Sequence, residues 1–391
     1  MPQPWRILVV DDEPDLEPLV LQRMRRQIRS GKYDFQFAAN GLEALEKLRA
    51  DDTIDLVLSD INMPQMDGLT LLSQLGSLNQ DLRAVIISAY GDMGNIRTAM
   101  NRGAFDFVTK PVDFDDLQIT IERTVEHLRQ WREATASRDK LVTLQNELDI
   151  ASNVQQSILP DDFPATQTYG IDANMVPARN VGGDFYDYVA AAGDKVFATV
   201  ADVSDKGIPA ALFMMSSRTA LKGAAIGTGS PREALIEANR VLQADNPTLM
   251  FVTVVMALYE PRTGELVYAS AGHDPPVIVR ADGSAERMSA TGGMALGIAP
   301  EAVFASNLAE QRLTLAPGET LVLYTDGVSE AMNVEQEEFG TDRLLQLFAD
   351  RPPRSAEEAM HAIFDAVSAF AGEAPASDDI TCLALHRNMS P

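Results

Sequence analysis

The chain has 391 residues, 46% of them apolar, which is too many for one ordinary core and enough to fill two or three. Its net charge of −25 repels phosphate backbones and anionic lipid head groups, and no Lys/Arg cluster with interleaved aromatics interrupts that field, so the sequence argues against nucleic acid as a partner. Cys382 is the single cysteine, which rules out an intrachain disulfide or a cysteine zinc site, and the opening Met-Pro-Gln-Pro-Trp lacks the apolar core of a signal peptide. No apolar run approaches the roughly 20 residues that span a bilayer, so a cytosolic protein without a membrane partner is expected.

Over residues 1–125, short β-branched runs alternate with helical patterns, the signature of a parallel sheet covered by helices on both faces. The pattern predicts five strands, at 7–10, 35–38, 56–59, 84–88 and 105–108. Asp11, Asp12, Asp60, Ser88 and Lys110 fall at strand ends, beyond the carboxyl edge where ligands collect in such folds. Carboxylates about 4 Å apart repel by roughly 4 kcal/mol at an effective dielectric of about 20, so an acidic cluster is tolerable mainly where a cation or a shared proton compensates it. A helix cap would account for Asp11 and Asp12. It leaves Asp60, Ser88 and Lys110 unexplained.

The runs ILVVDDE, LSDINMPQMDG, IISAYGD and FVTKP, spread over this whole segment, resemble the receiver domain of two-component response regulators. The resemblance implies that Asp60 is the phosphoacceptor and that a histidine kinase or small phosphodonor supplies the phosphoryl group. It implies Mg²⁺ held by Asp12, Asp60 and the Asn62 carbonyl, with Asp11 assisting through water, and it makes Ser88 and Phe107 the switch residues. The chemistry is coherent, because a carboxylate attacks an anionic donor poorly unless a hard cation and a fixed ammonium, here Lys110, offset the charge.

Residues 117–159 contain no proline or glycine and carry Ile121, Val125, Leu128, Leu141, Leu144, Leu148, Ala151, Val154 and Ile158 at three- and four-residue steps. This predicts one long helix with a polar middle at 130–140, ended by Pro160 and Pro164. An exposed linker is one reading. A two-stranded coiled coil, and hence a homodimer, is favoured because an isolated helix of this length needs somewhere to bury its stripe. The expected organisation is 1–125, a helical linker at 126–165, and 166–391.

The last segment mixes strands and helices without strict alternation, as in VFATVADV, MFVTVVMALY, ELVYASAGH, LTLAPGETLVLYTDG and DDITCLAL, with helical patterns after Pro209, Pro231 and Ser355. An α/β arrangement of layered antiparallel sheets flanked by helices is expected. Asp184, Asp202, Asp326 and Asp378 each adjoin a predicted strand beside Gly, Ser or Thr, so short loops can bring them together.

GGDFYD, DVSDKG followed by PAALFM, AGHDPP, TDGVSEA and DDIT resemble, in order, the metal-dependent PPM (type 2C) protein phosphatases of the SpoIIE-type branch. The resemblance implies two Mn²⁺ or Mg²⁺ ions sharing a water, with Asp202 between them, the Val203 carbonyl as a further ligand, and Asp184, Asp326 and Asp378 on either side. Asp378 is preferred over Asp379 as the direct ligand, and Asp187 and Asp205 are read as surface or outer residues. Arg179, five residues before Asp184, matches the spacing of a phosphate-binding arginine, with an ordinary salt bridge as the alternative. His273 is read mainly as structural.

The expectation is a response regulator in which phosphorylation at Asp60 controls a serine/threonine phosphatase. By family analogy its substrate is a phosphorylated STAS-domain anti-sigma-factor antagonist. The alternative is a non-enzymatic adaptor that binds a sigma factor or an anti-sigma partner. The complete acidic set argues against it. A transcription factor conflicts with the charge and with the absence of a helix-turn-helix segment.

Overall fold

The structure is a computed structural model that describes residues 3–78, 81–89, 92–244 and 246–389. It divides into two compact units, Met1–Thr143 and Leu144–Pro391.

In the first unit, strands β1 (Trp5–Val10), β2 (Tyr33–Ala38), β3 (Leu56–Asp60), β4 (Arg83–Ala89) and β5 (Asp106–Lys110) form a parallel sheet in the order β2-β1-β3-β4-β5. Successive side chains of a strand point to opposite faces. Leu8, Val10, Val57 and Ile86 therefore pack with Leu45 and Leu71 on one side, while Ile7, Val9, Leu58 and Val85 pack with Val20, Leu117 and Ile121 on the other. With both faces buried the strands must be apolar throughout, which is why they read as unbroken β-branched runs.

A 45-residue helix, Phe114–Ile158, follows β5. Its first apolar set, Leu117, Ile121, Val125 and Leu128, is buried. One turn further on, Trp131 Nε1 donates to Asp81 (3.2 Å), and Arg132 pairs with Asp55 (2.7 Å) while lying over the Trp5 ring. Unit-one contacts thus run to Arg132. Beyond it Leu141, Leu144, Ile150 and Val154 are exposed.

The second unit contains two five-stranded antiparallel sheets. Its strands are β6 (Tyr169–Val176), β7 (Phe185–Ala190), β8 (Val196–Val203), β9 (Val252–Glu260), β10 (Glu265–Ala271), β11 (Val277–Val279), β12 (Ala285–Arg287), β13 (Gln311–Thr314), β14 (Thr320–Tyr324) and β15 (Ile380–Arg387). The sheet orders are β13-β10-β9-β8-β7 and β12-β11-β14-β15-β6. Alternation sets the layers. Leu321, Leu323, Leu383 and Leu385 join the cluster containing Val200, Met256 and Tyr259 of the other sheet, whereas Val322, Tyr324, Cys382 and Ala384 face Met360 and Ile363 of the helix Ala356–Ala371. The helices Ile208–Gly227 and Pro231–Ala244 cover the opposite outer face.

One expectation is corrected here. Asp187, read as a surface or outer residue, is 4% exposed and forms an ion pair of 3.0 Å with Arg218 of the helix Ile208–Gly227. Burial raises its pKa, and the Arg218 guanidinium partly offsets that rise. Its partner lies a full strand and turn away in sequence, and nothing local announces the pairing. Removing one member of a buried pair strands the other charge. Asp187→Ala should therefore lower stability by about 3–5 kcal/mol, whereas Asp187→Leu combined with Arg218→Met should recover most of the loss, measured by denaturant unfolding of the full chain.

Candidate active site

In the first unit the acidic cluster forms as the strand ends require. One carboxylate oxygen each from Asp11, Asp12 and Asp60 lies within 4.8 Å of the others. Lys110 Nζ stands 2.8 Å from Asp60 Oδ2, 3.0 Å from Asp11 Oδ2 and 3.0 Å from Glu13 Oε1. Burial works against the Lys110 charge, but the surrounding carboxylates outweigh it and hold its pKa above the ordinary lysine value. Burial likewise raises the pKa of Asp11, against the pull of the Glu13 amide and Lys110. The Asp60 carboxylate is oriented by the Ile61 N–H, which donates to Oδ1 at 2.7 Å.

Asn62 is exposed in the loop after Asp60. Ser88 is buried on β4, the strand beside that of Asp60, and its hydroxyl has no hydrogen-bond partner among the described residues. Phe107 is 37% exposed, its ring turned outward. Tyr90 and Gly91 of the IISAYGD run lie outside the described residues. Sequence reasoning missed Glu13 as the third partner of Lys110.

In the second unit Asp184 precedes β7, Asp202 is the penultimate residue of β8, Asp326 follows β14, and Asp378 precedes β15. Asp184 is buried, and Asp202 lies half-buried near it. Both pKa values are raised. Burial is the first cause for each, and the nearby carboxylates add to it, Asp326 and Asp378 acting on Asp202. Asp326 is raised by burial and by Asp378. Thr325 Oγ1 donates to Asp184 Oδ2 at 2.7 Å. These four carboxylates spread more widely than the receiver cluster, which is the one set of three acidic groups among the described residues that closes to 4.8 Å.

Asp378 and Asp379 point to different tasks. Asp379 is buried and its oxygens accept from backbone amides: Oδ1 from Ala178 (2.8 Å), Oδ2 from Gly183 (2.7 Å) and, more distantly, Asp184 (3.4 Å). A Cβ at Gly182 would stand 2.5 Å from Asp379 Oδ2, so the loop can wrap this carboxylate only with glycine there. Asp378 Oδ2 instead meets Lys206 Nζ at 2.7 Å. Arg179 is exposed, without a hydrogen bond or ion pair among the described residues. Asp205 is exposed with a positive φ of 70°.

The donor set suits divalent cations. It offers hard oxygens only, with Asp184 buried, Asp202 half-buried and neither paired with a basic side chain among the described residues, and the Val203 carbonyl opens toward Gly183, where a Cβ would come within 3.0 Å of it.

Two residues stabilise this arrangement from behind. Gln155, near the end of the long helix, accepts from Gly182 N (2.9 Å) through Oε1 and donates to Gly182 O (2.6 Å) through Nε2. His273 is buried between the sheets: Nε2 donates to the Tyr324 carbonyl (2.9 Å), which fixes the tautomer, so Nδ1 accepts from Thr253 Oγ1 (2.8 Å). Thr253 registers with Asp202 across β8 and β9, and Tyr324 leads into Thr325 and Asp326. Both ring nitrogens are thus used in structure.

Residues 7–122 match the response regulator receiver domain, and residues 192–388, just over half of the chain, match Stage II sporulation protein E (SpoIIE). The chain belongs to the SpoIIE family. A receiver domain precedes the SpoIIE-type phosphatase domain in it. The protein IcfG of Synechocystis sp. is 30% identical over 274 residues, covering 62% of this chain and 42% of IcfG, so the chain spans less than half of that relative. Phosphoserine phosphatase RsbU of Bacillus subtilis is 29% identical over 276 residues, 71% of this chain and 80% of RsbU. The solved RsbU and RsbW domains of Rv1364c from Mycobacterium tuberculosis share 28% identity at a TM-score of 0.50, over 57% of this chain and 61% of that one. Among the described residues of this SpoIIE-family protein, no helix is long and apolar enough to cross a membrane.

Two measurements test the supports. Gln155→Ala leaves both buried polar groups of Gly182 without partners at a penalty of about 1–3 kcal/mol. Hydrogen exchange at the Gly182 and Gly183 amides should accelerate by about tenfold or more. Burial pushes the pKa of His273 down to about 4, against an ordinary value of about 6.5. A histidine depressed in the fold contributes its full stability above pH 6.5 and loses it as pH falls toward 4, by up to about 3 kcal/mol. Between those limits, the stability of His273→Asn should fall less steeply with acid than that of the wild-type chain, by up to one proton in the slope of denaturation free energy against pH.

Proposed function

We propose that phosphorylation of Asp60 controls a protein phosphatase acting on phosphoserine or phosphothreonine. The observation that carries this is a complete set of four carboxylates, Asp184, Asp202, Asp326 and Asp378, gathered at the strand ends of the second unit in a chain whose first unit offers Asp60 and Lys110 already paired at 2.8 Å.

Asp12, Asp60 and the Asn62 carbonyl would hold Mg²⁺ in the receiver, with Asp11 behind them. Lys110 takes up charge on the incoming phosphoryl group, and Ser88 and Phe107 respond to it. In the second unit Asp202, Asp184, Asp326 and Asp378, with the Val203 carbonyl, would hold a pair of divalent cations. When bound, a pair of Mn²⁺ or Mg²⁺ ions supplies the charge that activates water and offsets the phosphoryl oxygens. Thr325 keeps Asp184 turned inward, and Asp379 fixes the loop that carries it. This arrangement supports Asp378 as the ligand: both oxygens of Asp379 are buried on backbone amides, whereas Asp378 keeps one oxygen on an amide and turns the other to the Lys206 ammonium at the rim.

The exposed Leu141, Leu144 and Val154 support a homodimer through the linker helix. The phosphoserine phosphatase activity for which RsbU is named supports a phosphoserine substrate. A phosphorylated STAS-domain anti-sigma-factor antagonist is the proposed target, a histidine kinase or small phosphodonor the source of the Asp60 phosphoryl group, and the cytosol the setting.

The test is hydrolysis of an aryl phosphate, and then of a phosphorylated STAS protein, by the full chain with Mn²⁺, with and without beryllofluoride. Asp202→Ala should lower kcat/KM by about 10³-fold or more, since several kcal/mol of charge stabilisation is lost. The response to beryllofluoride should vanish in Asp60→Ala. Turnover absent on both substrates would return the adaptor reading, in which the domain binds a sigma factor or anti-sigma partner without hydrolysis, and turnover indifferent to Asp202 would overturn the four-carboxylate site.

A further inference from the structure

We infer that Lys206 binds the phosphoryl group of the substrate, taking the part that spacing alone offers to Arg179. The inference rests on the phosphatase reading above.

Lys206 lies in the turn between β8 and the helix Ile208–Gly227, flanked by Asp205 and Gly207 with positive φ values of 70° and 79°. These left-handed positions fold the turn back, so that the ammonium returns to the carboxylates instead of pointing away from them. Nζ lies 2.7 Å from Asp378 Oδ2 and 2.6 Å from the Ser377 carbonyl. It also lowers the pKa of Asp326, against the larger upward push of burial and neighbouring carboxylates. Among the described residues it is the one basic side chain paired with a carboxylate of the site. Arg179 reaches none of them.

The charge balance asks for such a group. Four carboxylates neutralise two divalent cations, and the charge of Asp379 is already met by backbone amides. A phosphomonoester dianion entering that neutral site needs a further cation. An ammonium has three protons. Two are directed to Ser377 and Asp378, and the third is left for a phosphoryl oxygen at a side chain still partly open to solvent.

The experiment uses the full chain at saturating Mn²⁺, with p-nitrophenyl phosphate and a phosphoseryl peptide as substrates, inorganic phosphate as competitive inhibitor, and calorimetry of inorganic phosphate binding. Lys206→Ala should raise KM and the inhibition constant of phosphate by about tenfold or more, the loss of one charge-assisted hydrogen bond, and Lys206→Arg should restore both to within about threefold. An unchanged melting temperature separates this from misfolding. An unchanged inhibition constant, a loss that disappears as Mn²⁺ is raised, or the same loss in Arg179→Ala instead would each overturn the inference. No turnover of either substrate by the wild-type chain would remove the phosphatase reading, while phosphate calorimetry on Lys206→Ala judges the lysine separately.

Discussion

Asp184, buried, and Asp202, half-buried, stand near one another with no basic side chain paired to either, and much of the second unit is arranged to hold that repulsion in place. Neither carboxylate could remain there on a flexible loop, because both would swing to water. Each is anchored instead. Asp202 is fixed within β8, a strand paired on both sides, and Asp184 is held by Thr325 from the other sheet and by the backbone that Asp379 gathers. His273 then ties Thr253, opposite Asp202, to Tyr324, beside Asp326, so that the two sheets present their acidic residues at a fixed separation. The receiver meets the same electrostatic problem differently: Asp11 and Asp60 of its cluster, with Glu13, close around a cation of the chain itself, Lys110.

This contrast bears on how each site exchanges its charge. Lys110 contacts three carboxylates and cannot leave without exposing them. Lys206 contacts one, from a turn at the rim. A permanent counter-charge suits a site that must stay set for a phosphodonor, and a peripheral one suits a site through which phosphorylated chains pass repeatedly.

The receiver was legible almost entirely in the sequence, because a sheet buried on both faces forces apolar runs whose ends mark the ligand edge, and Asp60, Ser88 and Lys110 stand at those ends. The strands of the second unit were legible for a related reason, with Leu321 and Leu323 alternating against Val322 and Tyr324. The long helix followed from the absence of Pro and Gly, and its observed span, Phe114–Ile158, lies close to the expected one. What stayed hidden depends on tertiary approach. Asp187 stands in the same motif as Asp184 but faces the helix that carries Arg218, and no local pattern records that choice. Gln155 is one glutamine among several on a polar helix, and only the fold brings it to Gly182. Asp378 and Asp379 are distinguished by alternation about the start of β15, which sends one side chain to the Lys206 turn and the other into the glycine loop.

The pair of hydrogen bonds between Gln155 and Gly182 has the donor and acceptor pattern of two residues facing each other across an antiparallel ladder. Gly182 lies three residues before β7, the outermost strand of its sheet. An open strand margin is a template on which another chain can add itself, leading to aggregation. By lending one amide side chain as a substitute neighbour, the helix closes that margin where it enters the acidic site, with no further strand required. That closure rests on a single residue, and it lasts only while the last turns of the helix remain wound.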